Sequence, residues 1–110
     1  MYYHLTPADL LLISDDLNLD LGVIRLRRGG SDGGQKGLRS VIQHLHTQEI
    51  ARLRVGIGRP HPGQDARQYV LSRVARSEEE RWREMVQRAA DAVEMYVREG
   101  IAAAMNAFNG

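Results

Sequence analysis

The stretch "GVIRLRRGGSDGGQKGLRSVI", residues 22–42, decides the fold. Its first part, VIRLR, alternates apolar and charged side chains, which is the period-two pattern of a half-buried β-strand. A glycine-rich segment follows, and the last part, GLRSVI, places apolar residues at helical spacing. The stretch therefore predicts a strand that leads through a glycine loop into a helix, with Gly37 near the start of that helix.

The same alternation returns in "RLRVGIG", residues 52–58. Here Leu53, Val55 and Ile57 are predicted to face inward, and the arginines between them to face outward. If the two strands share a sheet, one face would carry four arginines, Arg25, Arg27, Arg52 and Arg54. Four strand arginines that only meet water would explain the pattern equally well.

Two further elements flank this unit. "LLLI", ending at Ile13, predicts a buried strand, and "SEEERWREMVQRAADAVEMYVREG", residues 77–100, predicts an amphipathic helix of about six turns. A capping box of Ser77 and Glu80 is expected to begin the helix and Gly100 to end it. "ARQYVLSRV", residues 66–74, is ambiguous between a short helix and an extended segment. The helix's predicted apolar stripe contains Trp82, Met85, Val86, Ala89, Ala90, Val93, Tyr96 and Val97.

These elements predict an α/β fold with an incomplete mixed sheet of about three strands. A glycine-rich loop and its helix, and a long C-terminal amphipathic helix, complete it. We interpret residues 1–110 as a single, partial domain. So thin a sheet is expected to have an exposed edge, which could allow self-association.

Composition narrows the possible functions. The chain has no cysteine, so a disulfide or a thiolate metal site is excluded. It has no apolar run long enough for a membrane span and no basic signal-peptide start, so we expect a cytoplasmic protein. Net charge is only +1, but residues 25–59 carry eight basic residues against two acidic ones, which favours an anionic partner for this segment.

The glycine loop is a candidate anion site, because free N–H groups at a helix start favour negative charge. Gly33, Gly34 and Gly37 fit this description, with Lys36 and Arg39 as counter-charges, although a tight turn without a ligand would have the same sequence. The acids of "SDDLNLD", residues 14–20, could orient a histidine base, bind a metal or serve only as turn residues. The four histidines lack metal-binding spacing, so neither a metal nor a cofactor is expected.

Taken together, several motifs resemble the bacterial-type peptidyl-tRNA hydrolases, and specifically the C-terminal portion of that family. They are "LLLISDDLNLDLGVIRLRRGGSDGGQKGLRSVI", "RLRVGIGRP", "YVLS" and "AMNAFN". The resemblance runs over almost the whole chain, and the order and spacing of the motifs make it specific. It implies an esterase that cleaves the bond between a peptide and the 3′ ribose of tRNA, and so recycles tRNA in translation.

The resemblance also implies roles for individual residues. A histidine base activates water in this family, and Asp15 matches the aspartate that orients and stabilises that base. Arg27 and Arg54 match basic positions that meet tRNA phosphates. The glycine loop is expected to contact the acceptor end of tRNA through Gly33, Gly34, Gln35, Lys36 and Gly37. The family enzyme is expected to act as a monomer without a metal.

Two departures qualify this interpretation. Gln35 and Lys36 stand where the family commonly has histidine and asparagine. The family's first strands, and the motif that carries its catalytic histidine, have no counterpart in the sequence. We therefore expect little or no hydrolysis by the 110-residue chain alone. The alternative hypothesis is a non-catalytic RNA-binding module derived from the same fold.

Overall fold

The computed structural model describes residues 5–59, 62–63, 65 and 76–109. Its three-stranded sheet has the order β1–β3–β2, with β1 parallel and β2 antiparallel to β3. The predicted α/β fold with a mixed sheet is therefore confirmed. The ambiguous segment 66–74 lies outside the described residues. The strands are β1 (Leu11–Asp16), β2 (Ile24–Arg27) and β3 (Ala51–Gly56).

The part of the chain that the structure describes contains three α-helices: α1 (Lys36–Leu45), α2 (Glu79–Glu99) and α3 (Ile101–Phe108). Short 3₁₀ turns lie at Pro7–Asp9 and Arg76–Glu78. The predicted capping box is wrong, because Ser77 lies inside the second 3₁₀ turn and α2 begins without a side-chain cap. The predicted stop at Gly100 is correct: its φ is +91°, and its N–H donates to the carbonyl of Tyr96.

Strand alternation puts the apolar side chains of the sheet on one face, where α2 and α3 pack against them. In the pairing of β2 with β3, Leu26 lies opposite Leu53, and both are fully buried. Burial of these side chains is the main force that holds the helices on the sheet. The buried core consists of Ile24, Leu26, Leu53, Met85, Ala92 and Ala104.

The apolar stripe of α2 is wider than the surface that covers it. Met85 is buried as predicted, but Val86 is 59% and Val97 is 76% exposed. Ala92, which the predicted stripe left out, is fully buried. On the sheet, Ile13 of the edge strand β1 is 60% exposed. No helix in the described part of the chain is both long and apolar enough to cross a membrane.

Among the described residues, the outer edge of β2 pairs with a side chain and not with a fourth strand. The amide of Asn109, just after α3, accepts from the Leu26 N–H at 2.7 Å and donates to the Leu26 carbonyl at 2.8 Å. It thus makes the two hydrogen bonds that a neighbouring strand would make at this residue. The bridge satisfies both main-chain groups of a fully buried position.

Asn109→Ala is expected to lower the free energy of unfolding by about 2 kcal/mol, because two main-chain groups at a buried residue lose their partners. The measurement is urea unfolding followed by circular dichroism. Asn106→Ala is the matched control, since Asn106 is exposed on α3 and its change should stay within about 0.5 kcal/mol. Equal midpoints for the two variants would contradict the bridge.

Candidate functional site

A pocket of about 220 Å³ opens between the arginine-bearing face of the sheet and the glycine loop. Strands β1, β2 and β3 supply one wall, and the segment from Gly29 to α1 supplies the other. Both cationic and anionic side chains line it, together with main-chain groups of the loop. Its lining includes Asp16, Arg27, Ser31, Gln35, Arg52 and Arg54.

The predicted arginine face is formed by the register of β2 and β3. Their pairing places Arg25 opposite Arg54 and Arg27 opposite Arg52. The alternation thus put four arginines on one face, but their surroundings differ. Arg25 and Arg27 are exposed, and within the described residues neither forms an ion pair. These two match the solvated alternative, whereas the two arginines of β3 do not.

Arg54 is held by an acidic side chain of the neighbouring strand. Its Nε donates to Oδ2 of Asp16 at 2.6 Å, and a second guanidinium nitrogen contacts the same oxygen. The arginine and aspartate side chains are 25% and 11% exposed, so water screens the pair only in part. The ion pair fixes the direction in which the Arg54 guanidinium enters the pocket.

Arg52 is only 5% exposed, and no carboxylate of the described residues is its hydrogen-bond partner. Its guanidinium donates instead to main-chain carbonyls on both sides of the loop–helix unit. Burial lowers the pKa of Arg52, an effect that the nearby Asp32 charge opposes. An arginine remains charged at neutral pH even so, so this side chain is a buried cation surrounded by carbonyl dipoles.

The tip of the loop is shaped by positive backbone angles. Gly33 has φ +59° and Gly34 has φ +85°, and a Cβ at either residue would meet nothing within 4 Å. The need for glycine here is conformational, since other L-residues rarely adopt these angles. The Asp32 carboxylate accepts from the Gly34 N–H at 2.7 Å and from Arg39 Nε at 3.0 Å. The Gly34 N–H first, and then Arg39, lower the pKa of Asp32.

The helix that follows the loop begins at the pocket. Helix α1 starts at Lys36, and its N-cap residue Gln35 makes no side-chain cap. The Gln35 side chain instead donates from Nε2 to the main-chain oxygen of Asp15 at 2.6 Å. This bond ties the loop to the C-terminal end of β1, while the first N–H groups of α1 have no acceptor within the helix. The helix start can therefore receive an anion.

Four of the predicted site residues line the pocket, namely Arg27, Gly33, Gln35 and Arg54. Four others do not line it, namely Asp15, Gly34, Lys36 and Gly37. Strand alternation separates Asp15 from Asp16, and the exposed Asp15 reaches this region through its carbonyl. The roles assigned to all eight residues stay predictions.

Sequence reasoning missed two residues of the site. Asp16 was noted only as one of several acids, and Arg52 only as one of four outward arginines. Extending the first strand to Asp16 would have shown that only one of two consecutive acids can share the arginine face. No local signal distinguishes Arg52 from Arg54, because the two hold equivalent places in the alternation.

Comparison with known proteins identifies the family. The profile described as peptidyl-tRNA hydrolase matches residues 1–110. The peptidyl-tRNA hydrolase of Chloroflexus aggregans is 51% identical over 110 residues, covering 98% of this chain and 58% of its own length. That of Rhodopirellula baltica is 44% identical over 108 residues, covering 98% and 57%.

Solved structures lead to the same family. The crystal structure of peptidyl-tRNA hydrolase from Acinetobacter baumannii superposes with a TM-score of 0.83 at 32% identity, over 96% of this chain and 53% of that one. The chain spans about half the length of the curated relatives that it matches. With sequence and fold in agreement, this chain belongs to the peptidyl-tRNA hydrolase family.

Proposed function

We propose that this chain takes part in the hydrolysis of peptidyl-tRNA, with the pocket between the sheet and the glycine loop as its contact with the tRNA acceptor end. One observation carries the proposal: Arg27, Arg54 and the glycine loop, which lie apart in the sequence, converge on one pocket. The names of the relatives supply the reaction class. The bond to be cleaved is the ester between the peptide and the 3′ ribose.

Phosphate binding would rest mainly on two side chains. Arg27 is exposed and unpaired within the described residues, so its guanidinium can turn toward a phosphate. Arg54 enters the pocket from the adjacent strand, already oriented by Asp16. Contacts to phosphate carry no base information, which suits a protein that must accept every tRNA. The free N–H groups at the start of α1 add a third anion-binding element.

The chemical step would use Asp15. It occupies the second-to-last position of β1, its side chain is exposed, and its main chain is tied to the loop by Gln35. In this position its carboxylate would orient and stabilise a histidine base, which in turn activates the attacking water. No residue of the 110 matches the motif that carries this base in the family. We therefore expect the chain to bind the acceptor end and, alone, to hydrolyse the ester little if at all.

The test measures binding and hydrolysis on the same preparation. The purified chain is titrated with an acceptor-stem RNA ending in CCA, and tRNA release is followed from an N-blocked aminoacyl-tRNA. We expect salt-sensitive binding and release at the uncatalysed rate, with Asp15→Ala indistinguishable from the wild type in both. Release that Asp15→Ala abolishes would show a complete active site within the chain. Absence of binding would overturn the proposed contact with the acceptor end.

The alternative, a non-catalytic RNA-binding module, is not favoured, because the matching family consists of hydrolases. We further propose that residues 1–110 form a single partial domain of such an enzyme and that it works as a monomer in the cytoplasm, where translation occurs. Size-exclusion chromatography tests the monomer. Elution of the chain as a dimer would contradict it.

A further inference from the structure

We infer that Arg52 is a positioning residue: it clamps the two ends of the loop–helix unit, residues 30–50, and does not itself contact RNA. The inference rests on the proposed function only where it concerns RNA. The clamp as a structural element is independent of any ligand.

The contacts of the guanidinium carry the inference. It donates to the carbonyls of Gly30 and Ser31, at the entrance of the loop. It also donates to the carbonyls of Gln48 at 3.1 Å and Ile50 at 3.3 Å, after the end of α1. Two chain segments that lie 17 or more residues apart are thus joined by one side chain. With four carbonyl acceptors and 5% exposure, Arg52 has little capacity left for a phosphate.

The chemistry requires arginine at this position. Its planar head offers five N–H donors in a fixed fork, so a single side chain can serve acceptors that lie on different sides. A lysine has three donors on one nitrogen and cannot reach both segments from one point. Arg52→Lys would therefore keep the charge but leave main-chain carbonyls of the two segments without their donors, at a cost in free energy.

A close main-chain contact between the same two segments also supports the clamp. The N–H of Gly30 donates to the carbonyl of Gln48 at 3.1 Å. A Cβ at Gly29 would lie 2.7 Å from that same oxygen and 3.1 Å from the Cα of Glu49. The two segments can approach this closely only because residue 29 has no side chain. Gly29→Ala is thus a second way to open the clamp, and it leaves every charge in place.

The clamp holds the base of the loop but not its tip. Its base is fixed by Arg52 and the Gly30–Gln48 hydrogen bond, whereas its tip at Gly33 and Gly34 is surrounded by open space. A fixed base keeps the loop tip and the start of α1 over the pocket. The loop is therefore ordered before a ligand binds, and binding does not have to offset the entropy cost of ordering it. Arg27 and Arg54 would bind phosphate, and Arg52 would hold the surface that they share.

The experiment compares Arg52→Lys and Gly29→Ala with Arg25→Lys, an exposed arginine on the same face that serves as the control. Amide hydrogen exchange of residues 30–35 and 48–50 reports the clamp without RNA. We expect about tenfold faster exchange at Gly30 in both clamp variants and no change in the control. Circular dichroism and the fluorescence of Trp82, on the remote helix α2, establish that each variant is folded.

Titration with acceptor-stem RNA at several salt concentrations then distinguishes positioning from phosphate contact. Both clamp variants should bind about tenfold more weakly, with an unchanged slope of log affinity against log salt, because no phosphate contact is lost. A slope lowered by about one in Arg52→Gln, which removes the charge, would assign Arg52 to a phosphate and overturn the inference. Unchanged exchange in both variants would also overturn it.

Different results would refute the proposed function and the Arg52 clamp. If the wild-type chain binds no RNA, the proposed function fails, and the exchange measurement still decides whether the clamp exists. If Arg52→Lys does not fold, Gly29→Ala decides alone. Normal exchange at Gly30 in a folded Gly29→Ala variant would then refute the clamp.

Discussion

Gly56→Ala is expected to lower the free energy of unfolding by about 4 kcal/mol or to prevent folding. Gly56 ends β3 and lies against the turn that joins β1 to β2. A Cβ there would overlap the carbonyl oxygen of Asp20 and lie 2.8 Å from that of Val23. Both obstacles are main-chain atoms, which cannot rotate away as a flexible side chain can.

The turn cannot move aside without losing hydrogen bonds. The Gly56 N–H donates to the Val23 carbonyl at 2.7 Å, and the Gly58 N–H donates to the Leu19 carbonyl at 3.0 Å. Relief of the clash would therefore separate β3 from the turn that it needs for register. Because Asp15 and Asp16 directly precede this turn, the substitution should also disturb the candidate site.

Gly37→Ala is the matched control for Gly56→Ala. A Cβ at Gly37 would meet nothing within 4 Å, and the residue lies in the first turn of α1. Alanine should stabilise the helix there by up to about 1 kcal/mol, because glycine is a poor helix former. Urea unfolding of the two variants decides the matter. Similar stability of both would mean that the contact of Gly56 with the turn is looser than the structure shows.

The second large effect is expected from the double substitution Arg27→Gln with Arg54→Gln. If each guanidinium binds one phosphate, affinity for acceptor-stem RNA should fall about a hundredfold, or roughly tenfold per contact. The salt slope should become shallower by about two. Glutamine keeps hydrogen-bonding capacity while removing charge, so the slope reports the ionic contacts alone.

Arg25→Gln controls for general electrostatic attraction. Arg25 lies on the same face, opposite Arg54 in the sheet, but it does not line the pocket. Its loss should change affinity by less than about threefold, since an exposed charge outside a contact is largely screened by salt. An equal loss for all three arginines would point to a diffuse basic surface in place of a phosphate pocket.

The elements of the sheet were predictable because the pleat enforces a period of two. Alternation in β2 and β3 predicted both the buried side chains, such as Leu26 and Leu53, and the face that carries the arginines. The strand order could not be predicted, because no residue pattern in β2 or β3 indicates which of the two pairs with β1. The start of α2 was missed, because the 3₁₀ turn that contains Ser77 has the same local sequence signal as a capping box.

Only those residues of the candidate site that lie in recognisable sequence motifs could be predicted. The resemblance assigned Gln35, Arg27 and Arg54 to the site, and these three side chains line one pocket, although their roles stay predictions. The different surroundings of Arg52 and Arg54 were not predictable, because they depend on which chain segment passes over each side chain. The loop entrance and the 48–50 segment cover Arg52, whereas Asp16 reaches Arg54.

The bridge from Asn109 to Leu26 joins residues that are 83 positions apart. Strand pairings such as Leu11 with Ala51 join residues that are much closer in the chain. Closing a longer loop costs more entropy, so the sheet can acquire its register before its outer edge is closed. A contact that forms after the rate-limiting step slows unfolding and leaves the folding rate nearly unchanged. Asn109 should therefore govern the lifetime of the folded sheet rather than the speed at which it forms.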